Sequence, residues 1–301
     1  YGVSLCPKYQ FTGTTFNAAA GCTNYAIGGG RINNFTAPTS PVSITKQMGD
    51  AGAAGFAAGD LVLIDGGGND AADLVGAYLS ASKDGGANYK GLLTTLLPAS
   101  MVDAAFAGGA TGMAQVGGAY MVGLADKFSA SINADVLGKG AQRVAILNLP
   151  GIYNTPRLQQ LLGGIAASAG PAASAQIQGL VKGWIEAFNA KLAANFAGND
   201  KVVVVDFYTS LNDQVAHPEQ FALTNAKNTA CPITGVGTDG LPTYTFATCT
   251  AASLSAMAPP AGATGGADWW KSYAFSDSFH PTPYGHQLLS QLVARSIAQA
   301  G

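Results

Sequence analysis

Three short, continuously apolar runs interrupt an otherwise mixed chain: Leu61-Val62-Leu63-Ile64, Arg143-Val144-Ala145-Ile146-Leu147-Asn148-Leu149 and Val202 through Val205. Runs of this length with no alternation predict strands of a parallel sheet covered on both faces. Glycines or prolines stop the first two, and Asp206 follows the third. Between them the period changes. From Ile177 the apolar positions Leu180, Val181, Trp184, Ile185, Phe188, Leu192 and Phe196 fall at three-and-four spacing, one buried helical stripe. A second helix is expected from about Met113 to Ile132 through Val116, Tyr120, Leu124 and Phe128, although Gly117, Gly118 and Gly123 weaken its intrinsic propensity. A third closes the chain on Leu288, Leu289, Leu292, Val293 and Ile297. Strands alternating with helices imply an α/β protein with an open parallel sheet, whose ligands bind at the carboxyl ends of the strands.

From 210 to 271 no period is visible. The segment is rich in Thr, Ala, Gly and Pro, and reads as a long insertion within one domain spanning 1–301. No internal repeat or linker divides the chain.

Composition narrows the classes. The 301 residues are 48% hydrophobic and 11% charged, with a net charge of −2. A globular core is within reach, and the lack of a basic cluster argues against nucleic acid or an anionic membrane surface as partner. No apolar run reaches the roughly 18 residues of a transmembrane span. The four cysteines form two sequence-local pairs, Cys6 with Cys22 and Cys231 with Cys249. Neither has zinc-ligand spacing, so the choice lies between disulfides of an oxidising compartment and buried thiols of a cytosolic protein. Disulfides fit the low charge better, with a secreted or periplasmic location; closing the second loop would contribute about 3 kcal/mol.

Three segments carry candidate chemistry. Asn24-Tyr25-Ala26-Ile27-Gly28-Gly29-Gly30 allows close backbone approach to a ligand, although such runs are also plain turns. It is not a dinucleotide fingerprint, because Asn33 stands where the last glycine is required. Asp65-Gly66-Gly67-Gly68-Asn69-Asp70 follows the first strand. The Asn69 amide there is a neutral donor suited to a developing oxyanion; the alternative reading is a turn and helix cap. Ser276-Asp277-Ser278-Phe279-His280-Pro281-Thr282 precedes the last helix. Asp277 is placed to orient the His280 imidazole, as for a general base, unless the two are only a surface pair. His217 reads as structural, and His286 as a packing or capping residue of the last helix.

Taken in order, these segments resemble the second, third and fifth blocks of the SGNH/GDSL hydrolases: the glycine block, Gly67-Gly68-Asn69-Asp70, and Asp277-Ser278-Phe279-His280-Pro281. Asn148-Leu149-Pro150, Phe188-Asn189-Ala190-Lys191-Leu192 and Phe221-Ala222-Leu223-Thr224-Asn225 are similar to the bacterial phospholipase/lecithinase/haemolysin-type branch. The resemblance implies a flavodoxin-like three-layer α/β/α sandwich and a secreted lipase or esterase working through an acyl-enzyme. It makes Gly28 N–H and the Asn69 amide oxyanion-hole donors, His280 the acid and base, and Asp277 its orienting group. No metal or organic cofactor is implied, and the partner is a small-molecule or lipid ester.

The family's Gly-Asp-Ser-Leu block is not found. The nearest string, Gly2-Val3-Ser4-Leu5, has valine for aspartate, and Ser4 is a poor candidate nucleophile. The nucleophile is therefore expected upstream of Tyr1, on a first strand within an associated N-terminal piece of roughly 30–60 residues. A catalytically inactive binding protein of the same fold, an acyltransferase and a polysaccharide deacetylase are the alternatives. Phe221, Leu223, Leu241, Tyr244, Phe246, Leu254 and Met257 either line an acyl groove or lid, or form a small core of their own.

Overall fold

The computed structural model describes residues 4–238 and 240–300. In chain order the strands are β1 (Tyr9–Phe11), β2 (Phe16–Ala18), β3 (Leu61–Ile64), β4 (Arg143–Leu147), β5 (Val202–Val205), β6 (Asn225–Thr229), β7 (Gly235–Val236), β8 (Pro242–Thr243) and β9 (Tyr273–Phe275). The helices are α1 (Ile44–Ala54), α2 (Gly68–Asp84), α3 (Ala87–Leu93), α4 (Ala99–Ala107), α5 (Gly109–Ser131), α6 (Pro156–Ala169), α7 (Pro171–Asn195), α8 (Phe207–Ala216), α9 (Ala251–Ala256) and α10 (Pro283–Ala300). The chain divides into two compact units, one of Tyr1–Leu149 with Gly183–Val204, the other of Pro150–Lys182 with Val205–Gly301.

The first unit is built on a sheet of order β3-β4-β5, with β3 and β4 parallel from Leu61 opposite Arg143 to Ile64 opposite Ile146. All three apolar runs are thus strands. β4 is buried at Val144, Ala145 and Ile146, as a doubly covered strand should be. β3 departs from that expectation: it is an outer strand, and Leu63 is 60% exposed.

The helical stripes also form. Val116, Tyr120, Leu124 and Phe128 of α5 are buried, as are Trp184, Ile185, Phe188 and Leu192 of α7. The glycines of α5 do not break it, and Gly117 has a packing reason. A Cβ there would lie 2.4 Å from the Trp184 indole, whose Nε1 donates to the Ala114 carbonyl at 2.9 Å. A small residue on α5 is the condition for seating this tryptophan. Near the start of the unit, β1 and β2 form a hairpin beside the Cys6–Cys22 disulfide.

In the second unit, the segment from 210 to 271 is more ordered than its aperiodic sequence suggests. It holds the rest of α8, the parallel pairing of β6 with β9, the β7–β8 hairpin, α9 and a 3-10 turn over Gly266–Ser272. Each element is too short for a visible hydrophobic period. Two small cores hold them, one of Leu211, Leu223, Ala226, Ala274 and Phe275, the other of Ala230, Leu254, Trp269, Trp270 and Tyr273. The Cys231–Cys249 disulfide closes the loop between β6 and α9. α10 forms as expected, with Leu288, Leu289, Leu292, Val293 and Ile297 half-buried. Among the described residues no helix is long and apolar enough to cross a membrane.

Candidate active site

In the second unit, β9 leads into a tight turn that ends where α10 begins. Thr282, fully buried, fixes that turn: its hydroxyl donates to the Tyr273 carbonyl at 2.6 Å and accepts from Gly285 N–H at 3.0 Å. The second bond is the N-cap of α10, and Pro283 at the first helical position suits the role. Ser276 N–H donates to the His280 carbonyl at 2.8 Å, closing the turn on itself.

Asp277 and His280 meet inside it. The imidazole Nδ1 lies 2.8 Å from Asp277 Oδ2 and 3.0 Å from Oδ1, and Oδ1 accepts the backbone N–H groups of Phe279 and His280, both at 2.7 Å. The Asp277 side chain is 6% exposed and that of His280 64%. Burial pushes the Asp277 carboxyl up, but its bonds to the imidazole and the two N–H groups outweigh this and hold it below the usual carboxylate range. The same contact raises the His280 pKa above 6.5 against the opposing effect of burial. With Nδ1 held by the carboxylate, the proton of the neutral imidazole sits there and Nε2 is a free acceptor. Among the described residues no side chain hydrogen-bonds to Nε2. The expected pairing of Asp277 with His280 is therefore present.

The glycine block and the Asn69 block lie in the first unit. Gly30 N–H donates to the Ile27 carbonyl at 3.2 Å, forming a turn with Gly28 and Gly29 at its tip. Three groups clamp this turn. The Asn69 amide donates to the Gly30 carbonyl at 3.0 Å. Arg31 donates to the Gly29 carbonyl at 2.8 Å and pairs bidentately with Asp73, at 2.5 and 3.0 Å. Asp70, 2% exposed, accepts Ile32 N–H at 2.9 Å and Asn33 N–H at 2.8 Å. Gly28 is exposed, and its N–H donates to no described residue. Asn69 has one further amide N–H after its bond to Gly30.

Asn69 and Asp70 are not helix caps. The N-cap of α2 is Gly67, with φ at 101°, and Asn69 is the second residue of the helix. A Cβ on Gly67 would also lie 3.0 Å from the Leu149 side chain, so this position suits glycine on both backbone and packing grounds. Two other segments singled out in the sequence meet here. The Asn189 amide accepts from Leu149 N–H at 2.7 Å and donates to the Leu149 carbonyl at 2.8 Å.

Ser4 lies in exposed coil and makes no hydrogen bond to a described residue; Gly2 and Val3 lie outside the described residues. His217 closes α8 through its backbone N–H, and His286 lies in the first turn of α10. No group of His, Cys, Asp and Glu among the described residues forms a metal site. The clamps made by Asp70 and Arg31 are not identifiable from sequence. An aspartate after Gly-x-Asn looks like a cap, and the partners of both residues are fixed only by the fold.

The chain is thus an α/β protein in which one unit carries a parallel strand pair and a clamped glycine turn, and the other an aspartate-bonded histidine. The profile of the GDSL-like Lipase/Acylhydrolase family matches residues 4–293, so the chain belongs to that family. No curated protein matches it.

Proposed function

We propose that the chain works as a serine-type carboxylic ester hydrolase of the lipase, esterase or lysophospholipase kind, in a secreted or periplasmic setting. The observation that carries the reading is His280, held through Nδ1 by buried Asp277 with Nε2 open. In the proposed reaction a serine hydroxyl attacks the ester carbonyl carbon and passes its proton to His280 Nε2. The oxyanion takes hydrogen bonds from Gly28 N–H and the remaining Asn69 N–H. The C–O bond then breaks, and the alcohol leaves with the proton from Nε2. Water repeats the sequence on the acyl-enzyme and releases the acid.

The nucleophile is proposed to lie on a strand outside residues 1–301 that pairs with the open side of β3. The outer position of β3 and the exposure of Leu63 support that strand. The exposed, unbonded position of Ser4 speaks against the alternative nucleophile. One hydrolase domain with an insertion at about 210–271 is supported by a family match that runs from 4 to 293. Two disulfides, Cys6–Cys22 and Cys231–Cys249, fit an oxidising compartment.

Hydrolysis of p-nitrophenyl butyrate tests the proposal. His280→Ala is expected to lower kcat/KM by at least about 10³-fold with the fold intact by circular dichroism. Undiminished activity in that variant refutes the assignment.

A further inference from the structure

The Gly28–Gly29 tip of the glycine turn has no side chain to hold it, and glycine has the widest backbone freedom of any residue. A donor aimed at a developing oxyanion is effective only if its direction is fixed before the reaction. The stem below the tip is fixed by the backbone. Arg31 N–H donates to the Val42 carbonyl at 3.1 Å, and the Arg31 carbonyl accepts Ile44 N–H at 2.9 Å, where α1 begins. From this anchored position the Arg31 side chain turns back onto the tip, and Nη1 donates to the Gly29 carbonyl at 2.8 Å.

The rest of the guanidinium is tied to α2. Nε and Nη2 meet the two Asp73 carboxylate oxygens at 2.5 and 3.0 Å. Its fork matches the carboxylate, so one planar group spans the helix and the turn. Asp73 lies four residues after Asn69, one turn along the same face of α2. Asn69 holds the Gly30 carbonyl directly, and Asp73 holds the Gly29 carbonyl through Arg31. Successive carbonyls of the turn are thus held from the helix face that bears the Asn69 amide. Folding stability gives little reason for the pair. The two side chains are 35% and 40% exposed, and ion pairs in such positions add little to it.

We infer that Arg31 and Asp73 are positioning residues for the ester reaction, bracing the Gly28 turn and the Asn69 amide into one fixed set of donors. The inference rests on the proposed hydrolase reading, in which Gly28 N–H and Asn69 bond the oxyanion. Neither Arg31 nor Asp73 makes or breaks a bond. Together they remove the freedom of the tip before the tetrahedral intermediate forms. Their loss therefore weakens binding of the transition state more than binding of the ester. Lysine is no substitute for Arg31, because a single ammonium has no planar fork to hold Asp73 and Gly29 at once.

The test is steady-state hydrolysis of p-nitrophenyl butyrate by the wild-type protein, Arg31→Lys, Asp73→Asn and the double variant, with urea unfolding of each. Each single variant is expected to lower kcat about tenfold to a hundredfold, with KM within about twofold of wild type. The double variant should lose no more than the larger single loss, because both substitutions break the same brace. Urea midpoints should stay near that of the wild type, and the base limb of the pH–rate profile should not move. Butylboronic acid forms a tetrahedral adduct with a serine that mimics the intermediate, so its Ki should rise as kcat/KM falls. A kcat within about twofold of wild type in both single variants, or an unchanged Ki, overturns the inference and leaves the hydrolase reading standing. A loss of kcat that tracks a lowered urea midpoint or a shifted base limb also overturns it. Absence of turnover by the wild-type protein overturns the hydrolase reading and the inference together.

Discussion

A buried carboxylate keeps its charge only if donors replace the water it loses, and two aspartates show both outcomes. Asp277 has the imidazole and two backbone N–H groups, and its pKa falls. Asp70 has two backbone N–H groups, and burial prevails: its pKa rises to about 6 from 3.8. The signs give different pH behaviour. In the proposed reaction, His280 acts as base only when neutral. The base limb of kcat/KM is therefore expected to titrate above 6.5 and to move down toward 6.5 in Asp277→Asn, with a large loss of rate, in a pH–rate profile on an aryl ester. For stability, Asp70 binds its proton more tightly folded than unfolded. Stability from this group is present at low pH and falls as pH rises from about 4 to about 6, by roughly 3 kcal/mol. Asp70→Asn removes that slope: urea unfolding at pH 4.5 and 6.5 should show the wild type losing stability relative to the variant at the higher pH. Equal differences at the two pH values would reject the assignment.

At the scale of elements, the legible parts were those with a long or unmistakable period. Continuous apolar runs identified β3, β4 and β5, and three-and-four spacing identified α5, α7 and α10. The last turn was readable too, because Asp277 and His280 are local in sequence and need only a bend to meet. The segment from 210 to 271 was not, since strands of two to five residues and a six-residue helix leave no period to count. The clamps on the glycine turn were hidden for another reason: Asp70 reaches Ile32 and Asn33 across 38 and 37 residues. The same holds for Asn189, which acts as a substitute strand partner for the backbone of Leu149, 40 residues away. Asn189→Ala leaves that buried residue's N–H and carbonyl without this partner. A loss of about 2–4 kcal/mol is expected in urea denaturation, while a change under 1 kcal/mol would mean water replaces the amide.

For the molecule as a whole, the family match crosses both units, and each carries some of the residues of the proposed reaction. The first unit carries the glycine turn and Asn69, held by Arg31, Asp70 and Asp73. The second carries His280 and its carboxylate partner Asp277. Each unit has one disulfide closing a loop: Cys6–Cys22 beside the β1–β2 hairpin, and Cys231–Cys249 around the β7–β8 hairpin. Such loops have high chain entropy when unfolded, so each cross-link is worth about 3 kcal/mol. The most direct test of the central claim is intact-mass analysis under denaturing conditions after treatment of the purified protein with a fluorophosphonate. The account predicts one covalent adduct, on a serine of a polypeptide segment outside residues 1–301, with labelling suppressed in His280→Ala. An adduct on Ser4 would contradict the proposed nucleophile, and the absence of any adduct would contradict serine-type hydrolysis itself.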